Sequence, residues 1–83
     1  MNKNEIIYLA IPYTWNAERS FEIVNKVAAD LITKGYIVIS PISSSHPISK
    51  HMDKKYQFDQ NTWQHQDLPI LERCDVLLLI IIN

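Results

Sequence analysis

The run Val76 to Ile82, VLLLIII, constrains this chain more than any other segment. Seven apolar residues in a row cannot form a strand with one wet face, because successive side chains point to opposite sides. At about 20 residues for a membrane helix, the run is also far too short to span a bilayer. A strand apolar at every position belongs in a parallel sheet whose two faces are both covered.

Parallel strands need crossovers, and the rest of the chain supplies them. Glu5 to Ile11, EIIYLAI, is a first strand closed by Pro12. Thr14 or Asn16 caps a helix with Glu18 in its first turn. Phe21, Val24, Ala28, Leu31 and Ile32 recur there at helical spacing, and Lys34-Gly35 stops it. Tyr36 to Ser40 is a second strand ended by Pro41, and Pro41 to Pro47, PISSSHP, reads as a loop. One helix with ill-defined ends falls between Ser49 and Gln66. Asp67 caps a further short helix, with Pro69 in its first turn.

The order is β-α-β-α-β. It predicts one domain over residues 1–83: a three-stranded parallel Rossmann- or flavodoxin-like sheet in order 2-1-3, with helices on both faces. Ligands of such sheets bind beyond the carboxyl ends of the strands, where the order reverses. Here that place lies between the first and third strands, bounded by Ala10 to Thr14 on one side and by Ile82 and Asn83 on the other.

Composition removes several functions. Eight Lys and Arg against nine Asp and Glu leave a net charge of −1, which excludes the basic surface that nucleic acid requires. Gly35 is the only glycine, so neither a dinucleotide fingerprint nor a P-loop can be built. Cys74 is the only cysteine, so no intrachain disulfide is possible and a reducing, cytoplasmic setting is expected, with no membrane span. His46, His51 and His65 have no metal-ligand spacing, and neither metal nor cofactor is expected. Ser45, His46 and Asp67 could formally make a nucleophilic triad, a set that almost any chain of this size offers. Asp75, at the amino end of the third strand, and Cys74 read as structural.

Ile7-Tyr8-Leu9-Ala10 with Pro12-Tyr13, an Arg-bearing helix, Ser40-Pro41-Ile42 with Ser45-His46-Pro47, and Trp63 with Asp67, Leu71 and Cys74-Asp75 form an ordered set. Together they resemble a bacterial domain family related to the nucleoside 2-deoxyribosyltransferases. The resemblance implies a Rossmann-like fold and a nucleoside or nucleotide pocket. In the transferases a glutamate attacks the anomeric carbon and forms a glycosyl-enzyme intermediate, as in retaining glycosidases. By position the resemblance implies that Tyr8 would match the strand tyrosine that bonds that glutamate, that Tyr13 would lie over base or sugar, and that Asp67 would handle the base and its proton. Ile11 stands where the family usually has a small residue. The glutamate would follow the third strand, and no residue up to Asn83 matches it.

The expectation is therefore a nucleoside- or nucleotide-binding protein, of a kind that could sequester its ligand. Its ligand residues would be Tyr8, Ala10, Pro12, Tyr13, Ser43, Ser44, Ser45, His46, Asp67 and Asn83. The serine loop would supply hydroxyls and backbone N–H groups to a phosphate or sugar. Trp15 would be a lid or a packing residue, and Arg19 would meet an anion or pair with Glu18 or Glu22. An enzymatic alternative is a deoxyribosyltransferase or N-glycosidase completed by a partner chain, with Asp67 catalytic. A third reading is a purely structural, oligomeric remnant. An edge strand as apolar as Val76 to Ile82 needs a cover, which predicts a homo-oligomer.

Overall fold

The computed structural model describes residues 1–12 and 16–81. Strand β1 (Ile6–Ala10) leads to helix α1 (Ala17–Thr33) and strand β2 (Ile37–Ile39). Helices α2 (Pro41–Ser49), α3 (Lys54–Gln57) and α4 (Gln60–Glu72) then precede strand β3 (Val76–Leu79). The strands are all parallel and lie in the order β2-β1-β3, as the sequence predicts.

β1 is central, and its register is set on both sides. Tyr8 stands between Ile39 of β2 and Leu77 of β3, and Ala10 stands beside Leu79. At the amino end, the Ile6 N–H donates to Asp75 Oδ2 at 2.8 Å while the Asp75 N–H returns to the Ile6 carbonyl at 2.9 Å. Asp75 is thus a strand clamp.

Alternation along the strands decides what each face meets. Leu9 and Ile11 point to α1, where Val24 and Ala28 are buried one turn apart. Val38, Ile42, Leu78 and Ile80 complete that core. Asn16 caps α1, its side chain accepting from the Arg19 N–H at 3.1 Å. Gly35 ends the helix at φ +93°, a conformation that side chains with a Cβ rarely adopt.

Two segments differ from the sequence expectation. Pro41 to Pro47 is not a loop but most of α2. Pro41 takes the first helical position, where a missing N–H costs nothing. The rest is held from outside: the His46 ring packs on Phe21 with centroids 4.6 Å apart, and its Nε2–H donates to Glu18 Oε1 at 2.9 Å. Ser43 Oγ donates to Asn25 Oδ1 of α1. Tertiary docking overrides weak local propensity.

Asp67 is not a helix cap. Asp59 caps α4 instead, accepting from the Thr62 N–H at 3.0 Å and the Thr62 hydroxyl at 2.7 Å. Asp67 and Pro69 lie within that helix. The expected single helix over Ser49 to Gln66 is instead the end of α2, the short α3 and the start of α4.

Candidate site at the carboxyl ends of the strands

Three adjoining concavities share one side chain, Asp67. A small cavity of about 150 Å³ lies over the end of β1 and is lined by Tyr8, Ala10, Pro41, Ile42 and Asp67, among others. Another of about 170 Å³ lies between Ile42, Ser45 and Ser49 of α2 and Trp63 and Asp67 of α4. A wider cleft of about 620 Å³ runs past the β2 edge, with Ser43, Ser44 and Ser45 on one wall and Gln66, Asp67 and Ile70 on another. A further concavity of about 710 Å³ is lined by α1 alone and so offers a ligand a single wall.

The helical spacing of Trp63, Asp67 and Ile70 places all three on the side of α4 that faces these cavities. Trp63 is fixed by its indole N–H, which donates to the Gln57 carbonyl at 2.9 Å. Burial raises the Asp67 carboxyl above the usual aspartate range. Burial also pushes the Tyr8 phenol up to about 12, helped by the charges of Asp67 and Cys74. Tyr8 therefore stays protonated at neutral pH and can donate a hydrogen bond, while Asp67 is a half-buried carboxyl placed to accept one.

The residues singled out in the sequence fare differently. Tyr8, Ala10, Ser45 and Asp67 come together. Ser44 lines the wider cleft but is exposed. Ser43 lines the same cleft, with its hydroxyl committed to Asn25 and in contact with Ser40. His46 is buried and turned to α1, where Glu18 takes its Nε2, so Ser45, His46 and Asp67 do not form a triad. Pro12 is exposed, and its carbonyl accepts the Ser20 hydroxyl at 2.9 Å, tying the end of β1 to α1. Tyr13, Trp15 and Asn83 lie outside the described residues. Ile42, Trp63, Gln66 and Ile70 are lining residues that the site expectation omitted.

Residues 5–83 match the profile of a family described as a domain of unknown function, DUF1937. The chain belongs to that family. No curated protein and no solved structure matched the chain when each was searched. For this DUF1937 domain the chemistry of the site thus rests on its own side chains. Among the described residues, no three His, Cys, Asp or Glu side chains are grouped to hold a metal ion. No helix among them is long and apolar enough to cross a membrane.

Proposed function

We propose that this DUF1937 domain binds a nucleoside or nucleotide at the carboxyl ends of β1 and β2. The observation that carries this reading is Asp67, shared by three adjoining cavities and set against a protonated tyrosine. A nucleoside presents a flat heterocycle with N–H groups at its edge and a sugar with hydroxyls. Trp63 and the apolar Ile42 suit the first, Asp67 accepts from the heterocycle edge, and Ser44 and Ser45 suit the sugar or a phosphate. The resemblance of Tyr8 and Asp67 to positions in the nucleoside 2-deoxyribosyltransferases supports the same reading.

Calorimetry against a panel of nucleosides, nucleotides and ADP-ribose tests this. Heat of binding to at least one of them, weakened roughly tenfold or more by Asp67→Ala, is the expected result. No heat from any member of the panel would remove the reading. One feature favours a second reading, an N-glycosidase or deoxyribosyltransferase. A carboxyl raised by burial holds its proton to higher pH and can hand it to a departing base. Release of free base from a deoxynucleoside in the same mixtures, abolished by Asp67→Asn, would distinguish catalysis from binding.

A further inference from the structure

The sheet face opposite α1 is incompletely covered. Ile37 and Ile39 of β2 are 47% and 40% exposed, and Leu77 and Leu79 of β3 are 57% and 56% exposed. Ile81, which continues the β3 alternation, is 77% exposed. In the row Ile39–Tyr8–Leu77 only Tyr8 is well covered, at 8%. A strand apolar on both sides needs cover on both, yet α1 provides it for Leu78 and Ile80 alone.

These five side chains together expose on the order of 500 Å² of apolar surface, as much as the largest patch on a typical monomer. No charge or proline interrupts residues 76–81 to guard them. The nearest charge, Asp75, is spent on the Ile6 N–H.

We propose that this face is the contact surface of a two-fold dimer, each copy covering the other. A second copy is the occupant that matches it in area. Two such patches laid together remove on the order of 1,000 Å² from water, the level at which a specific interface becomes stable. A two-fold contact is also self-complementary by construction, so one apolar patch suffices for both partners. Pairing of β3 edges alone would satisfy backbone groups but leave Leu77, Leu79 and Ile81 in water. Packing face to face removes them, and that decides the geometry. The surface abuts the proposed ligand site without depending on it, so a chain that binds nucleosides as a monomer would refute the dimer alone.

Sedimentation velocity on the 83-residue chain at micromolar concentration tests the proposal. The expected mass is twice the 9.7 kDa of one chain. Leu77→Lys and Leu79→Lys, each at an exposed position, should weaken the dimer by roughly 100-fold with the circular dichroism spectrum unchanged. Glu22→Lys on the outer side of α1 should not. A mass of 9.7 kDa up to hundreds of micromolar would overturn the proposal whatever the variants do. A dimer indifferent to both folded lysine variants would overturn it as well.

Discussion

Asp67 is held in the middle of a helix, with an apolar side chain, Ile70, one turn beyond it and Trp63 one turn before. That position raises its carboxyl by burial, and the sign of the effect on stability follows. A folded-state pKa above the unfolded one means that the folded chain binds the proton more tightly. The resulting stability is full below the unfolded value and is lost as pH rises through the folded one. At neutral pH the ionised carboxylate therefore costs stability. Asp67→Asn is expected to raise the melting temperature by a few degrees at pH 7, with the gain shrinking as pH falls into the carboxyl range. Thermal unfolding followed by circular dichroism across that range checks it. An equal effect at every pH would mean that the substitution acts through packing. A carboxyl placed where burial opposes its charge, beside cavities, is the pattern expected of a functional group.

The elements show where local sequence was sufficient and where it was not. β1, α1 and β3 were legible because their apolar periodicity and their end signals agree: Pro12 after β1, Asn16 before α1, Gly35 after it. α2 was not, because two prolines and three consecutive serines spell a turn. Its helix depends on contacts from α1, through His46 to Glu18 and Phe21 and through Ser43 to Asn25. No local rule contains those partners. α4 is hidden for the opposite reason, since Asp67-Leu68-Pro69 imitates a helix start. The spacing of Trp63, Asp67 and Ile70 marks one continuous helical face.

If α2 is held mainly from outside, its anchor should be costly to remove. His46 is 6% exposed, and its hydrogen bond keeps the Glu18 carboxyl below the usual glutamate range, with Lys50 assisting at 3.3 Å. His46→Ala should lose about 2 kcal/mol of stability by urea unfolding, from the deleted ring and its bond to Glu18. Amide exchange should rise first along residues 41–49. A loss below roughly 0.5 kcal/mol would show that α2 carries its own helix.

At the scale of the molecule, the fold and the site have one origin. Order 2-1-3 makes β1 central and brings β2, α2 and α4 together at its carboxyl end, where Asp67 meets Tyr8 and Ser45. The same order leaves β3 at an edge with one face incompletely covered. The sheet order could be read from the sequence, but the expected place between β1 and β3 falls partly outside the described residues, and the cavities lie instead against β1, the β2 edge, α2 and α4. Which serine remains available could not be read either, because it depends on the α1–α2 contact: Ser43 is spent there and Ser45 is left facing Trp63.

The central claim is that Asp67 marks a nucleoside or nucleotide site, and a proton–nitrogen NMR titration of the chain tests it most directly. Added nucleoside should shift the amide signals of Tyr8, Ala10, Ser45 and Asp67 and the indole signal of Trp63. The outer surface of α1, at Glu22 and Lys26, should stay still. Shifts confined to α1, or none at millimolar ligand for any nucleoside or nucleotide, would contradict it.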